Sequence, residues 1–478
     1  MLFSSLIFIY LFLPLTLIFY YLIKPEYRNR FLLVSSLVFF AWGGVSYSFL
    51  LILSLILNFF IGKAIGTNQN KKWLIIGVSI NLAFLLVFKY ANFFAKNISD
   101  LLQLENESYK DLGIILPIGI SFYTFQAISY LIDVYRQTTV PQKKFVNLAL
   151  YISFFPQLIA GPIVRYHDIA RQLQKRTHSR ASFIYGVERF VLGLAKKVLI
   201  ANQFALIADN VFAIAPDNLG TFTAWTGIIA YSFQIYFDFS AYSDMAIGLG
   251  RMFGFKFLEN FNFPYIAKSI REFWYRWHIS LSNWFRDYLY ISLGGNRKGT
   301  KRTYLNLFIV FLITGFWHGA SWTFIVWGLI HGLFMIIEKL GFNKVLEKLW
   351  TPLRYIYTLF VVIMAWVVFR AETFDEALGF YHSLFVYKSS DVNVDVLMNF
   401  FNTETYIVSI IALLGSARFF TYISEKANAQ YLKLSIRSQR NILYITDITE
   451  VIAMVVVMLL VSMYLVAGTY NPFIYFRF

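Results

Sequence analysis

LNLFIVFLITGFW (residues 305–317) and WTFIVWGLIHGLFMII (residues 322–337) decide the fold class of this chain. Each run is almost wholly apolar, and only HGAS lies between them. About 20 apolar residues cross a bilayer as a helix. In lipid only helices and closed barrels pair all their backbone polar groups. Similar runs recur along the sequence, at 2–23, 31–42, 49–65, 73–88, 112–134, 145–163, 181–201, 221–237, 355–369, 407–422 and 451–466. Several are too short to cross alone, so tilted, re-entrant or cavity-lining segments are expected. The fold class read from this pattern is all-α: a polytopic transmembrane helical bundle with re-entrant and interfacial helices.

Composition agrees. The chain is 58% hydrophobic, 20% aromatic and 14% charged, with a mean hydropathy of +0.59. Soluble domains carry about 25% charged residues. No long polar or Pro/Gly-rich linker divides the 478 residues, so 1–478 reads as a single membrane-embedded domain. The stretch 1–23 lacks a basic leader and a small-residue cleavage site, and reads as a first transmembrane helix, not a removed signal. No internal repeat is visible, which speaks against an inverted-repeat transporter.

The net charge of +16 comes from 42 basic and 26 acidic residues. The basic residues sit in short runs between apolar spans, such as Lys71-Lys72, Lys143-Lys144 and Lys301-Arg302. That pattern suits cytoplasmic loops and anionic lipid headgroups, and no basic soluble module points to nucleic acid. Positive-inside reasoning places both 136–144 and 165–180 in the cytoplasm. They flank one apolar run, 145–163, so a single complete crossing contradicts itself and the run reads as re-entrant or as wrongly assigned to a span.

The absence of cysteine excludes disulfides, thiolate metal sites and a cysteinyl-acyl intermediate. The six histidines, His167, His178, His278, His318, His331 and His382, show no i, i+4 spacing, and no metal site is expected. His167 and His178 lie in a polar segment and read as solvated loop residues, and His382 follows a charged loop. His318 and His331 fall in apolar surroundings, where an ionisable group is costly and points to function. The alternative is a neutral histidine satisfied by a backbone carbonyl. Gly315 and Gly319 beside His318 permit close approach of a substrate or a second helix. If one helix joined them, His331 would lie about 220° from His318, which makes His331 structural. Asp238 reads as a proton-pathway group or as the cap of a helix start.

The stretch 262–302 is both aromatic and basic. At 100° per residue, Phe273, Trp277, Leu281, Trp284 and Tyr288 form an apolar stripe. Glu272, Arg276, Asn283, Arg286 and Asp287 gather opposite. One amphipathic helix at the interface is predicted, ended by Gly294-Gly295-Asn296. His278 lies on its flank with Trp274 and Phe285, facing protein or a cavity.

REFWYRWHISLS (271–282), WFRDYLY (284–290) and GFWHG (315–319) resemble the membrane-bound O-acyltransferase family. GISFYTFQ (119–126), FPQLIAGP (155–162), GGNR (294–297) and NPFIYFRF (471–478) resemble its bacterial alginate O-acetyltransferase branch. The resemblance implies a bundle of about a dozen helices around a tunnel, in a bacterial plasma (inner) membrane. It implies that His318 is catalytic, with His278 as second functional histidine. It further implies no bound cofactor, acetyl-CoA as acyl donor, and a polysaccharide acceptor or an extracytoplasmic acetyltransferase partner. Arg276 and Arg286 are candidates for the donor's phosphates, with membrane lipid as the alternative contact. Two rival readings are a polysaccharide or acyl transporter and a non-catalytic subunit of an acetylation complex.

Overall fold

The computed structural model describes residues 1–104, 111–159, 161–389, 398, 400–468 and 470–474, and the elements assigned among them are all helices. In the motifs quoted above, Ala160 and Tyr475 to Phe478 lie outside the described residues. In chain order, the helices that build the site are α1 (Val45–Thr67) and α2 (Lys71–Leu101), then α3 (Ile120–Tyr135), α4 (Phe145–Ser153), α5 (Phe155–Leu158) and α6 (Tyr166–Gln174). There follow α7 (Arg180–Phe212), α8 (Thr221–Met252), α9 (Ile270–Arg276), α10 (Ile279–Trp284) and α11 (Thr300–His318). The last are α12 (Trp322–Lys348), α13 (Thr351–Arg370) and α14 (Ile436–Val466).

Among the described residues six helices, α1, α2, α7, α12, α13 and α14, are long and apolar enough to cross a membrane. A seventh span results if Thr403–Ser416 and Phe419–Tyr431, bent by 66°, act together. The shorter runs pack as partial helices between them.

Three predicted segments change shape. The run 112–134 becomes helical only at Ile120, because Gly119 turns the chain with φ +77° and has no room for a side chain: a Cβ there would lie 2.6 Å from the Leu158 carbonyl oxygen. The run 221–237 continues to Met252 as α8, a 32-residue helix. Asp238 therefore sits mid-helix and caps no helix start, which removes that reading. Its carboxylate instead meets Lys197 at 2.8 Å, the two side chains 1% and 2% exposed, and accepts the backbone N–H of Ile474 at 3.0 Å. Asp244, further along α8, is neutralised by Arg189 and Lys196 at 2.7 and 2.6 Å. Paired in this way, polar residues extend a helix through a protein interior.

The third is 145–163. It forms α4, a break at Phe154 (φ −60°, ψ 115°), and the single turn α5. Nine residues of α4 rise only about 14 Å, too little to cross. Both flanks return to one residue: Arg136 donates to the Asp287 carbonyl at 2.9 Å, and Arg165 pairs with the Asp287 carboxylate. Both ends of the segment thus lie beside one residue, which fits the re-entrant alternative and rules out a complete crossing by this run.

Candidate active site

α11 and α12 form an antiparallel hairpin whose contact is set by glycine. A Cβ on Gly315 would lie 2.4 Å from the Phe324 carbonyl oxygen, and one on Gly328 2.4 Å from that of Phe311. Gly319 is equally confined, by the Phe324 ring. These glycines admit a second helix; the hairpin fills the space. α11 ends at His318, which is 6% exposed. Its ring packs against Trp317, Trp327 and Phe369, with centroids 5.1, 4.9 and 5.6 Å away.

The hairpin also removes the premise that one helix joins His318 to His331. His331 lies on α12, fully buried, with Trp327 at 5.1 Å and Trp274 at 5.2 Å. Trp327 thus touches both imidazoles.

The predicted amphipathic helix through 273–288 is broken at its centre. Trp277 is extended (φ −99°, ψ 130°), and His278 adopts the left-handed conformation (φ 43°, ψ 53°). The break has a physical cause. The chain at Asn260 takes backbone bonds that a continuous helix would make internally: Ile279 N–H donates to the Asn260 carbonyl at 2.9 Å, and Ser280 N–H to Asn260 Oδ1 at 3.1 Å. The Arg276 carbonyl accepts from Asn262 N–H at 2.9 Å. A non-glycine residue at positive φ is strained, and such strain clusters at functional sites. All five stripe residues are nevertheless buried.

The break turns His278 fully inward, 0% exposed, with Nδ1 3.2 Å from Asn260 Oδ1. A backbone N–H only donates, so the atom facing Ser280 N–H is the amide oxygen. Nδ1 of neutral His278 must then carry its hydrogen, and Nε2 is the acceptor. Trp317 lies between the two histidines, 6.4 Å from His278 and 5.1 Å from His318.

Two cavities approach this centre. One, of about 260 Å³, is lined by Lys89, Gly119, Ser121, Trp317 and His318. The other, of about 570 Å³, has an apolar body including Leu281, Val310, Phe311 and Thr314, and a basic rim of Arg271, Arg286, Lys339 and Lys344. Thr314 and His318 stand one turn apart on α11, a rise of about 6 Å. The cavities belong to opposite ends of α3. Gly119 precedes its first residue, whereas Arg136, just past its last, binds Asp287 beside Arg286. Sixteen residues of helix separate those ends by about 24 Å.

Arg286 lines the larger cavity, its side chain 52% exposed and paired with Asp287. Arg276 does not line it: it is held by Glu272 at 2.8 Å and by the Asn262 carbonyl at 3.0 Å. Arg271, Lys339 and Lys344 take the place expected for it.

His178 is an exposed loop residue, as the sequence suggests, whereas His167 lies on a helix. His178 Nε2 meets the Tyr20 hydroxyl at 2.9 Å. His167, on α6, meets Asp133 at 2.8 Å and Asp168 at 3.3 Å. The hydrogen bond that the ring donates to Asp133, then that to Asp168, raises the His167 pKa to about 9. Asp133 also accepts the Tyr288 hydroxyl at 2.9 Å, tying α3 to the chain after α10. His382 is exposed on its own helix. Among the described residues no group of three or more His, Asp or Glu is placed to hold a metal.

The sequence profile of the membrane-bound O-acyltransferase family matches residues 143–374. A protein of Azotobacter vinelandii named Probable alginate O-acetylase AlgI is 42% identical over the full length of both chains. A relative of the same name from Pseudomonas aeruginosa is 48% identical over 80% of this chain and 75% of its own. The Peptidoglycan O-acetyltransferase of Helicobacter pylori is 38% identical over 79% of this chain and 78% of its own. The chain belongs to the membrane-bound O-acyltransferase family. As a member it is an O-acyltransferase of the membrane, and the all-helical bundle fits that family. The histidine motifs quoted from the sequence fall at the two ends of the Trp317 contact. Asn260 was not singled out in the sequence, since an Asn among aromatics carries no spacing signal. Lys89 did leave a signal, a cation next to the apolar run 73–88.

Proposed function

We propose that this O-acyltransferase moves an acetyl group from acetyl-CoA to a hydroxyl of an extracellular or cell-wall polysaccharide, or of a relay protein that serves one. The observation that carries the reading is the pair of cavities ending one turn apart on α11. The larger has four cations at its rim, suited to the phosphates of CoA. It shares a face with Arg136 and Arg165, which positive-inside reasoning makes cytoplasmic. The smaller holds His318 and lies toward the other end of α3, where an acceptor would enter. The names of the relatives, alginate and peptidoglycan acetylases, support a polysaccharide acceptor. A bacterial plasma membrane and an extracytoplasmic transferase partner follow from the same reading.

In the reaction, His318 takes the hydroxyl proton as the oxygen attacks the thioester carbonyl. A tetrahedral intermediate forms, the C–S bond breaks, and the thiolate leaves with the proton that His318 returns. Imidazole suits this because its ordinary pKa, about 6.5, lies near working pH. His278, with Nε2 as acceptor, orients the acceptor by receiving a hydrogen bond from a neighbouring hydroxyl.

The test is acetate release from envelope polysaccharide in cells carrying only the variant, paired with thiol release from acetyl-CoA by the purified full chain. His318→Ala should lower both by about 10²–10⁴-fold. Normal transfer by that variant would remove His318 from the chemistry.

A further inference from the structure

α11 ends at His318 and the chain leaves it extended, with Gly319 at φ −164° and ψ 155°. The last four carbonyls of a helix have no partner within it. Many helices cap them with a left-handed residue at the next position, and this one does not. The caps come instead from α2. Tyr90 donates its hydroxyl to the Phe316 carbonyl at 2.6 Å. The Lys89 ammonium donates to the carbonyls of Trp317 and His318 at 2.6 and 3.1 Å. Its third contact is Ser121 Oγ, at 3.3 Å. Two adjacent residues thus hold three successive carbonyls of the helix that carries the catalytic ring.

α2 can present neighbours together because residues Leu86–Tyr90 form a π-turn, a local widening that is frequent at functional sites. The Tyr90 ring stacks on Phe316 at 4.0 Å with the planes 9° apart. Lys89 lies 5.7 Å from the centre of the Trp317 ring. Among the described residues no carboxylate pairs with Lys89. The partial negative charge at the C-terminus of α11 is what balances it.

We propose that Lys89 and Tyr90 are positioning residues for His318, fixing the last turn of α11 beside the acceptor cavity and with it the imidazole that packs on Trp317, Trp327 and Phe369. The Cα of His318 is set by that turn, and nothing after it in sequence continues the helix. Without the clamp the turn frays toward the cavity that Lys89 and His318 share. The ring is then displaced while the donor pocket, lined by the middle of α11, stays intact.

This rests on the reading of His318 as the base, and the experiment separates the two. The purified full chain is given acetyl-CoA, and thiol release per folded molecule is measured with the unfolding midpoint. Lys89→Met should lower kcat about tenfold or more, with KM for acetyl-CoA unchanged. Tyr90→Phe should lower kcat by less, and Lys89→Arg should recover most of the loss. His318→Ala sets the floor. If His318→Ala is inactive while Lys89→Met keeps wild-type kcat and only unfolds earlier, the clamp is structural and the proposal is overturned. A Lys89→Met effect confined to KM also overturns it, by making Lys89 a binding group. Wild-type release by His318→Ala overturns the base reading itself.

Discussion

Asn260 Oδ1 lies 3.2 Å from His278 Nδ1 and also receives both the N–H and the hydroxyl of Ser280, at 3.1 and 2.8 Å. One amide oxygen therefore fixes the strained backbone and the proton position of the same histidine. Asn260→Leu leaves a buried N–H without its acceptor, at about 1–3 kcal/mol. It also releases the tautomer, so kcat should fall about tenfold, or ~1.4 kcal/mol of barrier. Thiol release and thermal unfolding of the purified variant check both parts. Unchanged kcat in a folded variant would separate Asn260 from the chemistry.

The rim of the larger cavity gives a different signature. Neutralising Arg271 and Lys339 together should raise KM for acetyl-CoA about tenfold with little change in kcat. The wild-type KM should rise with ionic strength, and that of the variant less, because these charges are partly screened. A salt series of initial rates measures both.

Asp238 and Lys197 are almost completely shielded from solvent. Removing one partner strands the other charge, at about 3–5 kcal/mol. Lys197→Met and Asp238→Leu should each lower the unfolding midpoint sharply, and the double variant should recover part of the loss. A double-variant cycle by thermal shift in detergent measures the recovery.

Gly315 faces backbone across the hairpin, so no side chain can swing away to admit a methyl group. Gly315→Ala should cost about 1–3 kcal/mol by overpacking and reduce activity by moving His318. Gly415, where an added Cβ would meet nothing nearer than 3.7 Å, is the control.

His167 carries a pH signal. Its pKa in the folded protein, about 9, lies above the ordinary value. The stabilisation from its bonds to Asp133 and Asp168 is thus full below about pH 6.5 and is lost as pH rises through about 9. The gap in unfolding midpoint between the wild type and His167→Gln should close over that window. The imidazole is partly exposed, so the effect is small.

The membrane class, the paired histidines and the failure of 145–163 to cross as one helix were legible because each rests on a one-dimensional signal: apolar length, motif or charge placement. The break at His278 was not. Periodicity through Phe273, Trp277 and Leu281 correctly marked the buried side, but bonds to Asn260 overrode the helix. Similarly, Asp238 looked like a cap because its partner, Lys197, is 41 residues away on α7 (238 − 197). The two arginines chosen for the donor differ in fate for a local reason, since Glu272 captures Arg276 one turn away. Local patterns reveal which residues are buried; long-range bonds decide which way they point.

The re-entrant segment constrains how the protein is made. Arg165, at its exit, finds its partner Asp287 only 122 residues later, about 6–24 s at ordinary synthesis rates. Until then α4 is too short to hold a transmembrane position alone. The segment can settle on the earlier helices Arg28–Ala41 and Val45–Asn68 as soon as it emerges, but its exit is fastened only once Asp287 has left the ribosome.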